Sequence, residues 1–310
     1  MKKFIIEIFK FTLFAIIFYI ITLLIWESIK YPFLKPNLYC NKGSYGNTFT
    51  RLKEAKKINT VDVLILGSSH AYRGFDTRIF NKNNISSFNL GTSSQTPIQT
   101  LALLKRYLKT IHPKLIIVEV YPGVLNSDGV ESSLDIINND ENDFLSLEMV
   151  LKQNNIKTFN TLIFNYYRNF LNLDNSFVEK RIKNDDTYIS GGYIEKKIGY
   201  YKPKNITKQP IIIDKKQLDA FEDIIYEIKN RNIELVLVYA PISKNLYSSY
   251  TNNHYFDGLM MKYSEYYNFN SMIKLNDTID FDDSNHLNQI GVEKFNNKLI
   301  EIIKNRFSKN

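Results

Sequence analysis

Residues 61–66 form a short apolar run, and Gly67-Ser68-Ser69-His70 follows it directly. A run of this length closed by a glycine turn reads as a buried strand. The unit recurs at residues 86–90, 115–120 and 234–239, with a shorter fifth run at 271–275. Helix patterns fill the intervals. Thr96-Pro97 sets an N-cap with proline at the first helical position, and Ile98, Leu101, Leu104, Tyr107 and Leu108 then share one apolar face to about residue 111. A second helix covers 218–229, and Asn288 caps a last one at 289–307. Strands separated by helices dictate an α/β fold with a parallel sheet covered on both faces. Such sheets bind ligands beyond the C-terminal ends of their strands, where Ser69 and Gly91 fall.

The first 30 residues belong to a different solvent. Lys2 and Lys3 precede an apolar stretch from Phe4 to Trp26 that is interrupted only by Glu7 and Lys10. At 1.5 Å per residue it is long enough for a hydrocarbon core of about 30 Å. Trp26 and Tyr31 suit the far interface. Glu27-Ser28-Ile29-Lys30 offers no Ala-x-Ala-like cleavage site, so residues 1–30 read as an uncleaved anchor. The expected topology is a single-pass protein of the cytoplasmic membrane, its Lys-bearing tail inside and the remainder extracytoplasmic. Lys30 and Lys35 make the charge asymmetry modest. Residues 31–60, with Pro32, Pro36, Gly43 and Gly46, read as a juxtamembrane linker ending in a short basic helix near 52–57. Residues 61–308 form the main domain.

Composition narrows the function classes. The formal net charge of +8 is dispersed along the 310 residues. Scattered lysines without a nucleic-acid motif describe a solvated surface and exclude a nucleic-acid partner from the reading. Abundant Asn, Lys, Ile and Tyr are what an AT-rich bacterial genome encodes. Cys40 is the single cysteine, which excludes an internal disulfide framework and a Cys-based zinc site. Asp280, Asp282 and His286 lack the glycine, terminal glutamate or second histidine that a calcium or zinc site needs, so neither metal nor cofactor is expected.

Far downstream of Ser69 stands Asp283-Ser284-Asn285-His286, directly before the last helix. A serine on the turn after a strand, an imidazole and a carboxylate three residues before it supply a nucleophile, a general base and an orienting anion. Asp282 competes with Asp283, and only the three-residue spacing to His286 chooses between them. His70 reads as a packing or supporting residue; His112 and His254 read as solvent or helix-end residues.

These blocks resemble those of the SGNH/GDSL hydrolase superfamily. Gly67-Ser68-Ser69-His70 matches its Gly-Asp-Ser-Leu-like block, Phe88-Asn89-Leu90-Gly91 its second block and Asp283-x-x-His286 its last. The resemblance spans about residues 61–306 and implies a flavodoxin-like three-layer fold. It makes Ser69, Asp283 and His286 catalytic, with the N–H groups of Ser69 and Gly91 at the oxyanion. One block departs from the family. Glu119-Val120-Tyr121-Pro122-Gly123 stands where Gly-x-Asn-Asp is usual, so the asparagine donor is missing. Loss of one such donor costs roughly a hundred- to a thousandfold in rate. Gln95 is the expected replacement, with a helix-capping role as its rival.

A largely helical insertion at about 124–213 is expected to interrupt the strand–helix rhythm. It holds an acidic cluster at 131–143, an aromatic helix at about 160–173 and a Gly/Tyr-rich stretch with Tyr188, Tyr193, Tyr200 and Tyr201. Phe159, Phe164, Tyr166, Tyr167 and Phe170 are expected to pack the insert's own core, while the later tyrosines are candidates for stacking on sugar rings. Membrane-tethered proteins of this kind resemble those that act beside membrane-bound O-acyltransferases. The resemblance therefore implies an O-acyltransferase or esterase acting on an acylated envelope glycan or glycolipid. The alternatives are a lipid or small-ester hydrolase and an inactive scaffold partner of such an acyltransferase.

Overall fold

The computed structural model describes residues 1–29, 31–173 and 176–308; Lys30, expected on the far flank of the anchor, lies outside them. Five parallel strands build the central sheet in the order β2-β1-β3-β7-β8. They are β1 (Thr60–Leu66), β2 (Ser87–Asn89), β3 (His112–Glu119), β7 (Glu234–Tyr239) and β8 (Glu265–Asn268). Taken in sheet sequence, this is the doubly wound order in which the chain reverses direction between β1 and β3. Leu66 pairs with Val118 and Glu119 with Val238, so the strands' C-terminal ends line up at one edge.

One hydrophobic layer on each face fixes this arrangement. On one side Leu64, Leu66, Ile116, Val118 and Leu237 pack against helices Pro97–Tyr107 and Lys215–Asn230. On the other, Val63, Ile65, Ile117 and Val238 meet Phe295, Leu299 and Ile303 of the last helix, Gln289–Phe307. Residues alternate between faces along each strand, which is why the doubly covered segments 63–66 of β1 and 115–118 of β3 are apolar. The three expected helices are present with modest shifts at their ends. Asn288 caps the last one, accepting from the N–H groups of Ile290 and Gly291 at 3.0 and 3.2 Å.

Three expectations need correction. The fifth strand is Glu265–Asn268, not 271–275, where a single helical turn, Phe269–Met272, ends. The tyrosines of this edge strand outweigh the apolar spacing of Ile273 and Leu275. The short helix expected near 52–57 of the linker runs Thr48–Ala55 instead, and its Leu52 and Ala55 are wholly buried in the core. The insertion is only partly helical. Helices Val130–Asn139, Phe144–Gln153 and Ile156–Phe170 are followed by a three-stranded antiparallel sheet, β4 (Ile182–Lys183), β5 (Asp186–Ile189) and β6 (Tyr193–Lys196). Gly191 and Gly192 turn β5 into β6 at φ +93° and +91°, values that favour glycine. This turn docks on the main sheet, where the Asn89 N–H donates to the Gly191 carbonyl at 2.8 Å.

The insert's aromatic residues divide. Phe164 is buried and Phe159 packs on the core, but Tyr166 is 43% and Phe170 81% exposed. Tyr188 and Tyr193 are buried, leaving Tyr200 as an exposed member of the tyrosine group. The N-terminal helix Lys2–Glu27 is long and apolar enough to cross a membrane, with only 6% of its apolar window buried.

Candidate active site

Gly67, at φ +144°, ends β1 with a backbone turn in which a Cβ would lie 2.8 Å from the Glu119 Cβ. Ser68 follows in extended conformation and caps helix Ser69–Gly74, its hydroxyl accepting from the His70 N–H at 3.3 Å. Ser69 is thereby the first helical residue, half-buried at the C-terminal edge of the sheet. Its own N–H has no acceptor among the described residues, as expected of a donor in the first helical turn.

The loop before the last helix reaches Ser69 from the opposite end of the chain. An isolated bridge between Phe281 and Leu287 closes it, and Ser243 N–H donates to the Ser284 carbonyl at 3.0 Å. Ser69 Oγ lies 2.8 Å from His286 Nε2, and His286 Nδ1 lies 2.9 Å from Asp283 Oδ2. Asp283 Oδ1 also accepts the N–H groups of Asn285 and His286 at 2.7 and 2.8 Å. Burial opposes the charge of this carboxylate, but the His286 ring and the two N–H donors outweigh it and hold its pKa well below the usual carboxylate range. An ionised Asp283 favours the tautomer with a proton on Nδ1, leaving Nε2 to accept from the serine hydroxyl. Asp282 is not part of this line and forms an ion pair with Lys196 of β6.

A buried layer supports the three residues. The His70 ring stacks between Tyr121 and His286, with centroids 4.1 and 5.0 Å apart. Burial, with a smaller contribution from His286, pushes the His70 pKa well below its ordinary value and keeps the ring neutral. Its Nδ1 lies 3.2 Å from the Ser68 hydroxyl, which donates to Glu119 Oε2 at 3.3 Å. The Tyr121 hydroxyl donates to Asn285 Oδ1 at 2.9 Å and so steadies the loop that carries His286. Sequence reasoning saw Glu119 and Tyr121 only as a departure from a motif. A charged residue at the end of a buried strand was the signal that it has a partner there.

Two expected oxyanion donors are engaged elsewhere. Gly91 fits closely behind the turn, where a Cβ would lie 2.9 Å from the Ser68 carbonyl oxygen, but its N–H donates to Asn89 Oδ1 at 2.9 Å. Asn89 in turn donates to the Ala71 carbonyl at 2.8 Å. Gln95 is buried and donates to the Thr100 hydroxyl at 2.9 Å, beside an internal cavity that it shares with Glu119. One N–H of the Gln95 amide is thus taken on the helix side.

Beside the triad lies a cavity of about 120 Å³, lined by Arg73, Tyr193, Lys196, Asp282, His286 and Gln289 among others. Arg73 is held in a bidentate pair by Asp186 of β5 at 2.7 and 2.9 Å, and the Tyr193 hydroxyl donates to Gln289 Oε1 at 2.6 Å. The antiparallel sheet of the insertion thus forms a wall of the site. His112 and His254 are exposed and far from this arrangement in the fold, at the start of β3 and on helix Asn253–Tyr263.

No family model matches the chain, and no curated protein matches it. Among solved structures, the chain is similar to a Bacteroides fragilis protein that carries a provisional acylhydrolase designation, with a TM-score of 0.41 and 9% sequence identity over 85% of this chain and 98% of that one.

Proposed function

We propose that the chain is a serine-dependent ester-processing enzyme of the SGNH/GDSL type that acts on acyl esters of an envelope glycan or glycolipid. The observation that carries the reading is the continuous line Ser69 Oγ–His286 Nε2, His286 Nδ1–Asp283, assembled from residues 217 positions apart in sequence. In this mechanism Ser69 Oγ bonds to the acyl carbonyl carbon while its proton passes to His286 Nε2. The Ser69 N–H faces the developing oxyanion, and Asp283 stabilises the imidazolium. His286 then returns the proton to the departing alkoxide as the ester bond breaks. Water or a sugar hydroxyl next gives its proton to Nε2 and takes the acyl group, and Ser69 recovers its hydrogen.

The polar lining of the cavity favours a hydroxyl-rich acceptor over a long acyl chain at this position. A bound acceptor gains an effective molarity that free water lacks, which is how a transferase keeps its acyl-enzyme from hydrolysis. Helix Lys2–Glu27 supports a single-pass anchor in the cytoplasmic membrane with the catalytic domain extracytoplasmic, where a membrane-bound O-acyltransferase partner could supply acyl groups. The engaged N–H of Gly91 favours a second reading, an inactive scaffold for such a partner. The test is hydrolysis of p-nitrophenyl acetate with and without glycan fragments. The transferase reading predicts slow hydrolysis and acyl groups on the glycan. Rapid hydrolysis without acylated glycan identifies a plain esterase, and neither reaction, with Ser69→Ala still functional in cells, identifies the scaffold.

A further inference from the structure

The anchor helix does not stand clear of the domain. The Tyr19 hydroxyl donates to Asn160 Oδ1 of helix Ile156–Phe170, Leu23 is buried, and Phe11, Ile16 and Ile20 share a cleft of about 690 Å³ with Ile163 and Tyr167. At 1.5 Å per residue, positions 11 to 20 lie about 9 to 22 Å along the helix axis from Trp26. If Trp26 sits at the interface, that depth passes the headgroups and enters the hydrocarbon. An anchor that spans the membrane in this conformation therefore carries helix Ile156–Phe170 into the leaflet with it.

The surface of the insertion fits that placement. Ile156, Tyr166 and Phe170 are exposed along one helix, and Leu171 and Leu173 continue the apolar stretch beyond it. The Tyr166 hydroxyl donates to the Asp143 carbonyl at 3.2 Å, which brings it beside the start of helix Phe144–Gln153. There Phe144 is 75% exposed, and Leu147 and Leu151 follow on the same face at helical spacing. Two amides of helix Ile156–Phe170 turn inward instead: Asn160 and Asn165 are buried and bonded to the Asn37 carbonyl and to Asn138 Oδ1, while Asn169 is exposed near the helix end.

We infer that the helical insertion docks in the lipid leaflet on the domain's side of the membrane, with lipid acyl chains filling the cleft between the anchor and helix Ile156–Phe170. This rests on the membrane-anchor reading, and it would present the catalytic edge to substrates held at the membrane surface.

The full chain, reconstituted in phosphatidylcholine nanodiscs with or without brominated acyl chains, tests this. In a Cys40→Ser background, single cysteines at Phe9, Phe170 and Lys298 carry an environment-sensitive fluorophore. All three positions are on the surface, and Lys298 lies on the last helix across the sheet. Docking predicts that bromination lowers emission by about half or more at Phe170 and Phe9 while Lys298 is unchanged. Quenching at Phe9 without quenching at Phe170 would overturn the docking and leave the anchor standing. No quenching at either would overturn both.

Discussion

Asp283 holds His286 twice: its Oδ1 accepts the His286 backbone N–H at 2.8 Å, and its Oδ2 faces the ring Nδ1 at 2.9 Å. The three-residue spacing makes this possible, because a tight turn folds the carboxylate over the N–H of residue i+3 and brings the ring of that residue alongside. One side chain thus shapes the loop and orients the imidazole.

Replacement of the triad should be graded. Ser69→Ala or His286→Ala should lower turnover by roughly a thousandfold or more with folding intact. Asp283→Asn should also be severe, because an amide can present its N–H to Nδ1 and select the wrong tautomer. Asp282→Asn loses a partly exposed ion pair with Lys196 and should change turnover only a few-fold. Steady-state ester hydrolysis compares the four; an essential Asp282 with a dispensable Asp283 contradicts the arrangement.

Gly67→Ala should impair both stability and chemistry. The substitution places a methyl 2.8 Å from the Glu119 Cβ at a φ of +144°, a conformation that side-chain-bearing residues rarely adopt. Strain of this kind costs about 1–3 kcal/mol. A lower melting temperature and slower ester turnover are expected; wild-type values for both would show that the turn is not tight.

Glu119 gives a pH signature. Burial pushes its carboxyl from 4.5 up to about 8, against hydrogen bonds from Ser68 and the Tyr121 N–H that favour the charged form. Between these values the folded state holds a proton that the unfolded state has released. The contribution of this group to stability is therefore full below the unfolded value, declines as pH rises through the interval and is lost above the folded value. Glu119→Gln should remove that decline, so the variant gains on the wild type as pH is raised from about 5 to 8 in urea unfolding. Parallel curves for the two proteins would contradict it.

The placement of the candidate site's residues was more legible in the sequence than their surroundings. Ser69, Asp283 and His286 stand in short motifs whose local geometry follows from strand, turn and cap rules, and the β1, β3 and β7 runs are apolar on both faces. The fifth strand was misplaced because an edge strand such as Glu265–Asn268 need not be apolar. The antiparallel sheet is hard to read because its strands are short and Tyr188-Ile189 and Tyr193-Ile194 lack a two-residue alternation; only Gly191-Gly192 marks its turn. Gly91 and Gln95 were chosen as donors by position along the chain. Their actual acceptors, Asn89 and Thr100, follow from hydrogen-bond competition that only the folded arrangement reveals.

The anchor reading predicts an active alkaline phosphatase fusion at the C-terminus and a mature protein that keeps Met1 or Lys2 through alkaline extraction. A mature N-terminus beyond residue 27 would show a cleaved segment, and an inactive fusion the opposite orientation; either contradicts the anchor reading.

The central claim is that His286 activates Ser69. Mass spectrometry of the full chain after reaction with a fluorophosphonate probe reads this directly. The adduct should map to Ser69 in the wild-type protein and be lost in Ser69→Ala, and its formation should slow by orders of magnitude in His286→Ala. An adduct on Ser68 or another serine, or labelling of Ser69 at an unchanged rate without His286, would contradict the account.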